Sequence, residues 1–135
     1  MAKNFVAPIP ARWARPVIAL LKDGEVGAIR WTFSAKQEFH HLGFATETEA
    51  YDYCLTLLRT PGQIGECIAE MRTNKQEILC ETWAFLGSHP LGSDKPIYVK
   101  IGLHDNQLEL ELFSLHIDRK GDLSKRIQAF LKKRS

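Results

Sequence analysis

Apolar and polar positions alternate most regularly late in the chain. Ile97, Val99, Ile101 and Leu103 alternate with Tyr98, Lys100, Gly102 and His104, giving a strand with one apolar face and one face that carries chemistry. Asp105-Asn106 is a turn signal, and a second run of β-formers follows, so residues 96–117 predict a β-hairpin. A hairpin alone is marginal in water and needs a larger sheet packed on helices. The second run changes phase, from Leu108, Leu110 and Leu112 to Phe113, Leu115 and Ile117. With a two-residue turn, Lys100 faces Glu111, Tyr98 faces Phe113, and His116 points to the opposite side of the sheet. A bulge between Leu112 and Leu115, or a five-residue loop over 105–109, brings Tyr98 and His116 to one face. The phase change predicts such an irregular second strand.

Residues 1–15, with Pro8 and Pro10, read as an extended arm. Pro16 suits the first turn of a helix through residues 17–22, which Gly24 stops. Residues 25–30 read as a short connection or strand. Ser34-x-x-Gln37 and Thr46-x-x-Glu49 are capping-box patterns. The first opens a helix ending at Leu42-Gly43; the second opens one with Ala50, Tyr51, Cys54, Leu57 and Leu58 along a stripe. Pro61-Gly62 closes this helical part, residues 16–60. Residues 63–72 and 76–86 read as strands around a turn at 73–75, and residues 87–95 as a polar loop. Asp122 is placed to cap a helix over 122–134, in which Leu123, Ile127, Phe130 and Leu131 lie under a basic face. Helices, then strands, then a helix predict an α+β fold in a single domain. N-terminal helices would pack on one face of an antiparallel sheet of about four strands, residues 63–117, with a C-terminal helix added. The other sheet face would stay open for function.

Composition changes this picture little. With 135 residues, 44% apolar and 25% charged, the chain matches an ordinary soluble domain. The absence of a roughly 20-residue apolar run and of a signal-peptide pattern predicts a cytoplasmic protein without a membrane partner. Cys54, Cys67 and Cys80 form no CxxC pair, so reduced thiols in the core are expected, and no zinc-site spacing is present. Charge is segregated: residues 119–135 hold seven basic residues against Asp122, whereas residues 23–118 hold seven basic against fifteen acidic. Basic ends on an acidic body suit RNA or an acidic partner, or serve as solubilising charge. No Walker loop, GxGxxG, HExxH or GxSxG is present, which removes the nucleotide, zincin and hydrolase motifs from consideration. His40-His41 fit the end of a helix, and His104 is expected in solvent at the hairpin tip. Tyr98, Lys100, Arg72, Lys75, Glu81 and His116 remain as candidates on strands or at their turns. The structural alternatives are a Lys100–Glu111 cross-strand pair and a half-buried Tyr98.

Several stretches in order resemble the MqsR-type mRNA-interferase toxins of the RelE-like ribonuclease group. They are residues 20–26 (Leu-Leu-Lys-Asp-Gly-Glu-Val), Leu42-Gly43-Phe44, an acidic helix ending in Leu57-Leu58, Glu81-Thr82-Trp83, residues 96–101 with Tyr98-x-Lys100-Ile101, and Phe113-Ser114-Leu115-His116. The similarity spans roughly residues 17–117; the helix over 122–134 is extra. The resemblance implies an endoribonuclease that cuts single-stranded mRNA without metal or cofactor and is held in check by a cognate antitoxin. It assigns Tyr98 to the family's catalytic tyrosine and His116 to the place of a lysine. Arg72 is the basic residue nearest to the second catalytic lysine, and Glu81 or Cys80 stands for a glutamine. Metal-free RNA cleavage needs a base for the 2′-OH, charge stabilisation at phosphorus and an acid for the 5′-oxygen. His116 with Tyr98 are the expected proton-transfer pair, Arg72 or Lys100 the phosphate contact, and Lys75 and Glu81 further substrate contacts. Tyrosine can alternatively stack on an unpaired base. The rival expectation is a non-catalytic RNA- or protein-binding module on the same fold, with the basic helix as its contact.

Overall fold

The computed structural model describes residues 3–73 and 78–134. Among these residues the fold is α+β, built on one mixed sheet of six strands. Its strands are β1 (Phe5–Pro8), β2 (Ile29–Trp31), β3 (Ile64–Ile68), β4 (Cys80–Gly87), β5 (Ile97–His104) and β6 (Leu110–Ile117), in the order β1-β3-β4-β5-β6-β2. Neighbours are antiparallel except for β2, which runs parallel to β6. The expected sheet of about four antiparallel strands is thus corrected to six. Part of the supposed N-terminal arm is the edge strand β1, with Pro8 at its end, where a missing N–H costs least. The stretch read as a connection or strand supplies β2.

Among the described residues the helices are α1 (Ala11–Asp23), α2 (Phe33–Glu38), α3 (Glu47–Leu58) and α4 (Asp122–Arg134), with a 3-10 turn at Phe39–Leu42. Helix α1 starts a turn and a half earlier than Pro16 implied. The Pro10 carbonyl accepts from the N–H groups of Trp13 and Ala14, so Pro16 lies inside the helix. Gly24 closes α1 at φ 60°, the left-handed conformation that glycine adopts without strain. Helix α3 begins as expected, with the Thr46 hydroxyl accepting from the Glu49 N–H. For α2 the cap is Thr32, not Ser34: its hydroxyl oxygen accepts from the Ala35 N–H.

The main core lies between the sheet and α1, α2 and α3. Trp83 and Phe85 of β4, Val99 and Ile101 of β5, and Leu112 and Leu115 of β6 point into it and meet Trp13, Val17 and Leu58. Alternation sends Thr82, Ala84, Tyr98, Lys100 and His116 to the second face. That face is not wholly open. Helix α4 packs against β1, β3 and β4, and Arg126 grips the buried Glu66 carboxylate of β3 through Nε at 2.7 Å and Nη2 at 2.9 Å. The second face was expected to stay open; α4 covers part of it. Leu123 is its one fully buried side chain, so the fork of Arg126 is a principal anchor. Over β5 and β6, Tyr98, Lys100, Ser114 and His116 stay partly exposed on this face.

The hairpin of β5 and β6 is irregular, as the phase change predicted. Leu103 faces Leu110 and Ile101 faces Leu112, but Lys100 faces Ser114, which leaves Phe113 as an extra residue in a β-bulge. Beyond the bulge Tyr98 faces His116. The Phe113 ring lies over Gly102, where a Cβ would come 2.5 Å from Phe113 Cε2 and 2.8 Å from both Cys80 Cβ and Thr82 Oγ1. The Phe113 carbonyl, turned out of the ladder, accepts from Thr32 Oγ1 at 2.8 Å. Thr32 therefore caps α2 and secures the bulge with one hydroxyl. Thr32→Val is expected to destabilise the protein by about 2–3 kcal/mol, because a helix cap and a buried carbonyl each lose their partner. Urea unfolding reads the change as a lower midpoint at unchanged slope.

Candidate active site

Tyr98 and His116 come from neighbouring strands and stack, partly exposed, on the second face, with ring centroids 5.2 Å apart and planes at 16°. The next pair along the hairpin, Lys100 and Ser114, lies on the same face about 7 Å away by strand geometry. His116 Nδ1 sits 2.9 Å from the Ile117 carbonyl oxygen, which can only accept. Nδ1 is therefore the donor in this contact, and Nε2 is the ring nitrogen left to exchange a proton with a ligand. Burial raises the Tyr98 hydroxyl above the usual phenol range, and the Glu66 charge adds to it while Arg126 opposes it. The hydroxyl stays protonated at neutral pH. Burial lowers Lys100 from the usual ammonium range, and among the described residues it forms no ion pair. A half-buried ammonium without a carboxylate is poised to meet a ligand anion.

The other candidates lie elsewhere. Arg72 bridges Leu79, whereas Tyr98 faces Leu86, seven positions along the same strand direction. That spacing is about 23 Å at 3.3 Å per residue, so Arg72 does not join the Tyr98 site. Glu81 shares the helix-side face with Trp83. It takes both Arg12 guanidinium nitrogens at 2.6 and 2.9 Å and the Trp83 indole N–H at 3.3 Å, and its carbonyl accepts from Trp13. It is a structural tie, not a substrate contact of this site. Lys75 lies outside the described residues. The cross-strand pair expected for Lys100 and Glu111 does not form, because the bulge moves Glu111 opposite Gly102.

His104 is buried, not solvated. Its ring lies between two carboxylates, with Nδ1 3.6 Å from Glu109 and Nε2 3.5 Å from Glu111, and Glu109 also binds Arg30 at 3.0 Å. The turn is longer than two residues: the His104 N–H donates to Glu109, and the Gln107 N–H donates back to His104. His104 thus remains in the ladder. Cys54 is fully buried with its thiol raised to about 12 by desolvation, and Cys80 is raised to about 11 by burial and then by Glu111 and Asp105. Both thiols stay protonated at neutral pH, which suits packing rather than nucleophilic attack.

Sequence reasoning did not bring Glu66, Arg126 and Asp118 to Tyr98, although all three act on its hydroxyl. One signal was available. Glu66 is the lone acid in the otherwise uncharged strand Ile64–Ile68, and a basic amphipathic helix was there to meet it.

The Glu81 tie has a measurable consequence. Burial alone would raise its carboxyl, but hydrogen bonds from Arg12 and Trp83 and the Arg12 charge outweigh this, and the carboxyl sits below its usual range. A depressed carboxyl stabilises the fold above its unfolded value near 4 and loses that contribution as pH falls through the folded value. The pair is solvent-screened, so the effect is at most about 1 kcal/mol. In urea melts the stability gap between wild type and Glu81→Gln should be widest at pH 7 and should close towards pH 3.

Compared with protein-family models, curated proteins and solved structures, the chain matches none.

Proposed function

We propose that the protein is a metal-independent endoribonuclease acting on single-stranded mRNA. The observation that carries this reading is the stacked, partly exposed Tyr98–His116 pair with Lys100 beside it on one sheet face. His116 Nε2 takes the proton of a ribose 2′-OH, and the 2′-oxygen attacks the adjacent phosphorus. The P–O5′ bond breaks as the Tyr98 hydroxyl gives its proton to the leaving 5′-oxygen. The products are a 2′,3′-cyclic phosphate and a free 5′-OH. Lys100 holds the phosphate and balances the charge gathering on its oxygens. Tyr98, kept protonated by burial, suits the acid role, and His116, with Nδ1–H fixed, suits the base role. The resemblance to the MqsR-type toxins adds a cognate antitoxin as the partner that would keep such an activity in check in the cytoplasm.

A second reading, a non-catalytic RNA- or protein-binding module, has its own support. Arg126 is committed to Glu66 and Arg72 is distant, so Lys100 has little company at the phosphate position. One experiment separates the two. End-labelled single-stranded RNA is incubated with wild type, His116→Ala and Tyr98→Phe in excess EDTA, and the ends are mapped. Cyclic-phosphate ends from the wild type alone support the ribonuclease. Binding without cutting by the wild type gives the site to the module, and neither binding nor cutting defeats both RNA readings.

A further inference from the structure

A cleft of about 680 Å³ lies away from the Tyr98 face, between β2, the start of α2, the first turns of α3 and the loop after α1. Its walls are aromatic: Trp31 donates its indole N–H to the Tyr51 hydroxyl at 2.8 Å, and the two rings pack 5.9 Å apart. Two of the most exposed apolar side chains, Val26 and Phe33 (77%), line the same cleft. Single exposed apolar residues are ordinary, but several around one aromatic-walled cleft mark a contact surface.

The cleft already displays how it treats a cation. The Lys36 ammonium sits 5.2 Å above the Trp31 ring and 2.5 Å from Glu47 Oε2, so ring and carboxylate together form a cation seat. Lys36 and Glu47 are each about half exposed, at 50% and 41% of their side chains, and exposed ion pairs of this kind hold weakly. A guanidinium stacks on an indole and grips a carboxylate with two nitrogens, so it can displace the lysine. Glu25 adds a second carboxylate, and α1 ends beside the cleft at Gly24 with its negative pole. Acidic groups at the lip disfavour a phosphate backbone. Strand β2 is the last of the sheet; Val26 already bridges its first residue, Ile29, so among the described residues the edge without a partner is at Trp31. Such an edge can take an added strand.

We infer that this cleft is a docking site for an extended, basic peptide segment of a partner protein, which seats an arginine on Trp31 and Glu47 in place of Lys36. An apolar residue two positions from that arginine lies on the same side of the added strand and meets Phe33 and Val26. This interaction is independent of the ribonuclease reading.

The test uses the full chain and fluorescence anisotropy with three labelled probes: a hexapeptide alternating valine and arginine, one alternating valine and glutamate, and oligouridine. The arginine peptide should bind the wild type, bind Lys36→Ala several-fold more tightly because the seat is vacated, and bind Glu47→Gln and Phe33→Ser at least five-fold more weakly. Binding to His116→Ala should equal that to wild type. The inference is overturned if the arginine peptide fails to bind both wild type and Lys36→Ala, or if the glutamate peptide binds equally well. It also fails if Lys36→Ala weakens binding, if Glu47→Gln leaves it unchanged, or if oligouridine binding is the one lost in Phe33→Ser.

Discussion

Under the proposed ribonuclease reading, substituting His116 with alanine should lower RNA cleavage by about 10²- to 10⁴-fold, the contribution of a positioned general base, while the folded structure persists. His116 is only part-buried, and its ring hydrogen-bonds the backbone carbonyl of its sequence neighbour Ile117. Its removal therefore leaves no distant group orphaned. The loss should fall on kcat more than on KM, because a base acts in the transition state rather than in substrate binding. Tyr98→Phe should act differently. It keeps the stack on residue 116 but lacks the proton donor, so cleavage falls while RNA affinity holds. Lys100→Met should raise KM and lower kcat together, since the ammonium meets the phosphate before and during the reaction. Single-turnover assays with excess enzyme separate these effects. Equal cleavage by wild type and His116→Ala would remove His116 from the mechanism.

The second large effect concerns Gly102. Gly102→Ala should cost up to about 3 kcal/mol, the upper range for overpacking, because the new methyl meets the Phe113 ring, Cys80 Cβ and Thr82 Oγ1 at once. At this chain length that corresponds to a melting point lower by about 10 °C. Two of the obstructing atoms belong to short, buried side chains that cannot swing away, and the third is a ring held under the bulge. Phe113→Ala clears the most severe contact, so the double variant should lose less than the two single losses combined. Calorimetry on the four proteins decides it. Additive losses would show that the ring and the glycine do not share one space.

What the sequence revealed follows from how local each signal is. The alternation in Ile97–His104 reports a strand because every second residue meets the same core, and the phase change before Phe113 reports the bulge for the same reason. Glu81 was legible too: it keeps the parity of Trp83 and Phe85, which places it on the helix side, away from Tyr98. Strand β2 was harder to read, since three residues cannot show a period and its strand character comes from pairing with Leu110, Glu111 and Leu112. Thr32 and Ser34 both suit a helix start, and the distant Phe113 carbonyl favours Thr32. His104 was misplaced because the tip of a hairpin reads as solvent; its ring is instead enclosed beside Glu109 and Glu111. Arg72 was drawn to the site by resemblance, whereas its distance from Tyr98 depends on strand pairing that composition does not encode.

The Thr32 hydroxyl has one further consequence, for the order in which the chain acquires its structure. The hairpin from residue 97 to residue 117 can pair with its turn residues alone, but local pairing does not choose between a flat ladder and one with Phe113 expelled. The choice is reinforced across 81 positions, when Thr32 reaches the Phe113 carbonyl. Contacts that distant close late, after their loop entropy has been met by other packing. The register that brings Tyr98 and His116 together is therefore completed only when the N-terminal third of the chain has docked. A growing or truncated chain would carry the residues of the site before it carried the site.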